Sequence, residues 1–170
     1  MALKGKRTHM PERIRDVQPP NGLVRLAFRA PVWLYRARLG FLLGKRFLLL
    51  NHIGRVSSAP RQTVLEIIKQ DPHSHTYYVA SGYGEKSDWY KNVMQKPQVS
   101  IQVGMIEFQA IAERLPKEAA EEIMLGYGRK HPNALCELAR IMGYKIEKNE
   151  VEYRAFGRIL PIIAIHSNDA

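Results

Sequence analysis

Arg55 and Arg61 stand close together in a short stretch that also holds Gly54, Ser57, Ser58 and Thr63. A guanidinium fork matches the oxygens of a phosphate, a serine hydroxyl adds a donor, and glycine lets the backbone come close to a ligand. Such a cluster can bind an anion, although its composition is also that of an ordinary solvated loop. A second cluster, Ala80-Ser81-Gly82-Tyr83-Gly84-Glu85-Lys86, flanks an aromatic ring with two glycines. There backbone amides can reach a planar heterocycle or a phosphate. It is not a dinucleotide fingerprint, because the G-x-G-x-x-G spacing is absent. A third cluster, Asp88-Trp89-Tyr90-Lys91-Asn92, sets Trp89 and Asn92 on one helical face. That face offers an indole to lie beside a ring and an amide to hydrogen-bond it; a core tryptophan is the simpler alternative.

Other reactive groups do not assemble. His73 and His75 have no cysteine or carboxylate at ligand spacing, so no metal site is expected. No G-x-S-x-G elbow and no P-loop occurs. Cys136 sits among Leu135, Leu138 and Ala139 and reads as a packed thiol. Glu118, Glu121 and Glu122 crowd the start of a helix, where the helix dipole favours them.

The elements that must carry these clusters are mostly strands. Phe47–His52, Gln62–Lys69 and Thr76–Ser81 have the length and the branched or aromatic content of strands. Val99–Val103 and Ile106–Arg114 alternate apolar with polar, and Gly104-Met105 between them suits a type II′ turn. A last strand is expected over Leu160–His166. Helices are expected from Ser87 or Asp88 to before Pro97, over Lys117–Arg129, and from Pro132 to Gly143. This pattern predicts an α+β fold: a small barrel of about six mostly antiparallel strands with peripheral helices. Met1–Pro20, rich in charge and proline, reads as a flexible basic arm, with residues 21–170 as one domain. Asn21 then caps a helical lead-in over Gly22–Ala30, and Pro31 starts a second helix reaching about Leu43. Arg25, Arg29 and Arg36 there form either a solvated face or a peripheral membrane contact.

Lysine and arginine exceed aspartate and glutamate by 26 to 16, giving a net charge of +10. This balance suits a polyanionic partner. A nucleic acid is not expected, because the basic residues run from Lys4 to Arg158 without interleaved aromatics. The single cysteine, the basic N-terminus and the lack of a long uncharged apolar run point to a cytoplasmic protein.

In chain order, "FLLLNHIGRVSSAPRQTVLEII", "TYYVASGYGEKSDWYKNVMQKPQVSIQVG", "GYGRKHP" and "GRILPIIAI" resemble the deazaflavin-dependent nitroreductase family. The resemblance implies a split β-barrel, akin to the FMN-binding split barrels and the pyridoxamine phosphate oxidases. It also implies a coenzyme F-420 site. Gly54, Arg55, Val56 and Ser57, followed by Arg61, Gln62, Thr63, Val64 and Leu65, would hold the phosphate side. Ala80, Ser81 and Gly82 would lie along the deazaflavin, with Asp88, Trp89, Tyr90 and Asn92 closing the other side. Ser81 would be the catalytic contact to the acceptor or to the reactive edge of the ring. The implied reaction passes a hydride from the reduced coenzyme to a small organic acceptor of quinone, nitro or activated-alkene type. The alternatives are an FMN oxidoreductase or a non-catalytic carrier, and dimeric relatives imply a homodimer. The chain departs from several members by having Val56 in place of a second basic residue and Val64 in place of proline.

Overall fold

The apolar runs on either side of the Gly54–Ala59 loop form the first hairpin of a closed barrel. The computed structural model describes residues 10–18, Val32 and residues 44–168. After a short strand β1 (Glu12–Arg13) come β2 (Phe47–Ile53), β3 (Pro60–Asp71) and β4 (Thr76–Ala80). Helix α1 (Asp88–Gln95) leads to β5 (Gln98–Val103) and β6 (Ile106–Arg114). Helices α2 (Lys117–Lys130) and α3 (Pro132–Ile141), strand β7 (Tyr144–Lys145), helix α4 (Glu150–Ile159) and strand β8 (Ile162–Ser167) complete the chain. The barrel order is β2-β3-β4-β8-β6-β5, and β2 closes on β5, with every pairing antiparallel.

Strand alternation sets the barrel interior. Leu48 and Leu50 of β2 point inward with Val79, Ile101, Ile163 and Ile165, all fully buried. Leu49 points outward and packs with Val64 and Val32. Gly104 has φ +60, as the first residue of the expected two-residue turn requires.

A second core lies between one wall of the barrel and the helices α2, α3 and α4. Strand β8 serves both: Ile162 faces the helices, while Ile163 and Ile165 fill the barrel. An irregularity between Ile67 and Lys69 shifts the register of β3, and Ile68 there packs with the helices. Helices α2 and α4 touch closely, since a Cβ at Gly157 would meet the Ala120 carbonyl oxygen at 2.8 Å.

Three differences from the sequence reading have physical causes. Helix α4 was not expected, yet Asn149 caps it by accepting from the Glu152 amide at 2.9 Å. Strand β3 extends beyond both expected ends, because pairing with β2 reaches back to Pro60 and pairing with β4 runs on to Asp71. Part of the expected arm is anchored: Glu12 and Arg13 pair with Lys145 and Tyr144, and the Ile14 and Arg15 amides donate to the Gly143 carbonyl. Gly143, at φ +85, allows this approach, for a Cβ would lie 2.2 Å from the Arg15 carbonyl oxygen. Residues 1–9 and the expected lead-in helices lie outside the described residues, apart from Val32. Among the described residues no helix is long and apolar enough to cross a membrane.

Candidate functional site

The three polar clusters converge at one end of the barrel, where α1 meets the β2–β3 loop. That loop is internally built. The Gly54 amide donates to the Ala59 carbonyl at 2.9 Å, and the Ser58 amide donates back to Gly54 at 2.9 Å. Ser58 takes a left-handed conformation with φ 53. Gly54 is needed because a Cβ there would meet Ser57 Oγ at 2.8 Å and the Ala59 carbonyl oxygen at 3.3 Å. Val56 and Ser57 are exposed on the tip.

Arg55 joins the loop to α1. Its Nη1 and Nη2 each donate to Asp88 Oδ1 at 3.2 Å, and Nη1 also donates to Asn92 Oδ1 at 3.1 Å. Arg61 is exposed, with Nη2 at 3.4 Å from Ser57 Oγ. Lys96 Nζ reaches Ser58 Oγ at 3.5 Å from the far end of α1. Two cationic side chains, Arg61 and Lys96, thus reach the serine hydroxyls of the loop, while a third, Arg55, ties its base to α1.

His52, which the sequence reading passed over, lies beneath this group. It is 5% exposed, pairs in register with Arg61, and sits with Nδ1 at 3.2 Å from Asn92 Nδ2. Burial, followed by the Arg61 charge, pushes its pKa down to about 4, so the ring is neutral at pH 7. The available signal was a polar residue on the inward side of a strand whose other inward residues are Leu48 and Leu50.

Several of the expected residues also have partners within the protein. The Ser81 side chain is fully buried: its hydroxyl donates to the Gly84 carbonyl at 2.7 Å and pairs with Ser87 Oγ at 2.8 Å. These two bonds tie the Ser81–Ser87 segment into a closed turn. Asn92 is buried, and its amide meets Arg55 and His52. Tyr90 is buried in the barrel core, with its hydroxyl accepting from Arg114 Nη1 at 2.8 Å. Leu65 points into the barrel, because it lies opposite Leu48 in the register.

The remaining expected residues are spread over several places around this end of the barrel. Trp89 is half-buried against the barrel core, edge-on to Tyr90 at 6.4 Å between ring centroids. Gln62, on the outer face, donates to Asn51 Oδ1 at 2.8 Å. Asn51 donates in turn to Ser100 Oγ at 2.9 Å, and Ser100 to Glu107 Oε1 at 2.8 Å, giving a polar row across four strands. Thr63 is half-buried, and Val64 packs with Val32. Ala80 packs against the helical core, whereas a Cβ built at Gly82 would meet nothing within 4 Å beyond Gly82 itself and its chain neighbours Ser81 and Tyr83.

With this geometry in place, residues 27–134 match the family described as F420H(2)-dependent quinone reductase, a span that includes all three clusters. The chain belongs to that family. It is thereby an F420-dependent reductase of the deazaflavin-dependent nitroreductase type. Solved structures share the split-barrel fold at low identity. An F420-H2 dependent reductase, FDR-A, matches with a TM-score of 0.51 and 20% identity over 72% of this chain and 95% of its own. A chain described as a domain-swapped dimer matches with a TM-score of 0.50 and 18% identity, covering 81% of this chain and 100% of its own. The heme storage protein HutZ from Vibrio cholerae matches with a TM-score of 0.52 and 13% identity, covering 81% and 92%. These identities carry the fold alone. Among curated proteins none matches.

Proposed function

We propose that this reductase uses reduced coenzyme F-420 to reduce a quinone-type acceptor, with the phosphate of the coenzyme resting on the Gly54–Ala59 loop and Arg61 at the start of β3. The observation that carries this reading is the loop itself: Arg61 and Lys96 reach Ser57 and Ser58 at its tip, and Arg55 stands at its base against Asp88 and Asn92. These residues fit a phosphate. Three of the five guanidinium donors of Arg55 are used by Asp88 and Asn92, and the other two remain for an anion. Arg61 is exposed and spends one long contact on Ser57. The net charge of +10 suits a phosphodiester followed by an acidic glutamate tail.

When bound, the reduced coenzyme supplies a hydride, which together with one proton takes a quinone to its quinol. The chain supplies position and electrostatics. Arg55 and Arg61 fix the anionic end, Gly82 leaves open space beside the loop that Ser81 closes, and half-buried Trp89 offers an apolar wall. Ser81 acts by shaping that turn. We further propose a cytoplasmic homodimer, and a nitro or activated-alkene compound as a secondary acceptor.

Titration with F-420 and with FMN, followed by anaerobic turnover of the reduced coenzyme with quinones and nitroaromatics, tests the reading. The expected result is tighter binding of F-420 at low salt, a gap that narrows as salt rises, and faster turnover with quinones. Stoichiometric FMN that F-420 cannot displace would replace this reading with a flavin enzyme.

A further inference from the structure

His52 has no place in the phosphate-binding loop, yet its chemistry is set by that loop. Both groups that Arg55 turns toward Asn92, the backbone N–H at 3.0 Å and Nη1 at 3.1 Å, can only donate. The Asn92 atom they reach must therefore be the carbonyl oxygen. The amide nitrogen of Asn92, also only a donor, is then the atom that faces His52 Nδ1 at 3.2 Å. Nδ1 must accept, and the ring proton sits on Nε2. A proton on Nδ1 would set two donors against each other. The amide would relieve this by turning over, which would bring its NH2 group against the donors of Arg55.

We propose that His52 is a positioning residue for the anion site: by accepting from Asn92 it fixes the amide that holds Arg55 across the loop. The proposal rests on the deazaflavin reading only in naming which anion Arg55 meets. His52 touches no ligand and acts through Asn92. The charged groups around it are Arg61 from β3, Arg55 from the loop, and Asp88 on α1 beyond Arg55. Burial at 5% exposure and the nearby Arg61 charge both favour the neutral ring that this role needs.

The test has two arms on the full chain. Nitrogen-15 spectra of the His52 imidazole, recorded without cofactor, are expected to show an unprotonated Nδ1 and a protonated Nε2 from pH 8 down to pH 5. A proton on Nδ1, or titration near the ordinary histidine value, would overturn the proposal whether or not any cofactor binds. In the second arm, F-420 affinity is compared in His52→Asn, which restores an acceptor near the Nδ1 position, and His52→Phe, which fills the ring volume without one. The first is expected to bind within about threefold of the parent and the second about tenfold more weakly, one hydrogen bond's worth. Equal losses in the two variants, or none in either, would overturn the proposal. If the parent itself does not bind F-420, the deazaflavin reading fails, and the imidazole spectra alone decide the role of His52.

Discussion

Arg55 and Asn92 meet twice through one atom: the backbone amide and the guanidinium of Arg55 both donate to Asn92 Oδ1, at 3.0 and 3.1 Å. A loop that could otherwise drift is thereby tied by main chain and side chain to a helix whose Trp89, Tyr90 and Val93 pack with the barrel core. The arrangement makes Asn92 the hinge of the site's electrostatics, and its replacement is informative. In Asn92→Asp a carboxylate oxygen would face His52 Nδ1, which must then carry a proton. The His52 pKa is expected to rise from about 4 to above its ordinary value near 6.5. Imidazole chemical shifts followed against pH check this, and an unchanged titration would contradict the assigned amide orientation.

The two arginines should differ in how they fail. Arg61→Ala removes an exposed cation and is expected to weaken F-420 binding about ten- to a hundredfold, with a shallower dependence on salt. Arg55→Ala removes a comparable contact and also leaves buried Asn92 with one donor fewer. Its melting temperature should therefore fall, whereas that of Arg61→Ala should not. Binding isotherms at two ionic strengths, together with melting curves, separate the two.

Acid should destabilise the protein through His52. Its folded pKa, about 4, lies below the value of 6.5 that it regains on unfolding, so between those limits the unfolded chain binds more protons. The contribution is complete above about pH 6.5 and is lost as the pH falls toward 4. At pH 5 the loss is on the order of 2 kcal/mol. His52→Asn carries no titrating ring there, so its melting temperature should vary less between pH 7 and pH 5 than that of the parent. Parallel curves would refute this.

Gly157 marks a contact that tolerates no side chain. A Cβ there would lie 2.8 Å from the Ala120 carbonyl oxygen and 2.9 Å from Glu121 Cα, both backbone atoms. Gly157→Ala, which favours a helix by propensity alone, should instead cost about 1–3 kcal/mol by prising α4 from α2. Chemical denaturation measures it, and a neutral or stabilising result would show that the helices can separate at little cost.

The barrel was legible because its strands declare themselves locally. Val99–Val103 and Ile106–Arg114 alternate cleanly, and a glycine stands at the turn where a positive φ is required. Helix α4 was harder to read, since Val151, Tyr153 and Phe156 follow no long apolar run and the segment Tyr144–Lys148 ahead of it is polar. Its cap, Asn149, was visible, but asparagine marks turns as readily as helix starts. At the site, residue types revealed that polar groups gather near Arg55, yet not which of them face one another. Ser81, Tyr90 and Asn92 all look available in sequence and are all engaged internally. Hydrogen-bond direction depends on register and packing, so His52 became meaningful only once β2 and α1 were placed side by side.

Strand β8 has a consequence for how the protein comes apart. Ile162 lies in the core beneath the helices, and its neighbour Ile163 lies in the barrel interior, so a single stretch of backbone is the wall between two apolar compartments. Removing the helices would wet one side of that wall, and opening the barrel would wet the other. Neither compartment has a boundary of its own at which to stop unfolding. The two should melt as one cooperative unit, with the slowest-exchanging amides of the whole chain on β8 itself.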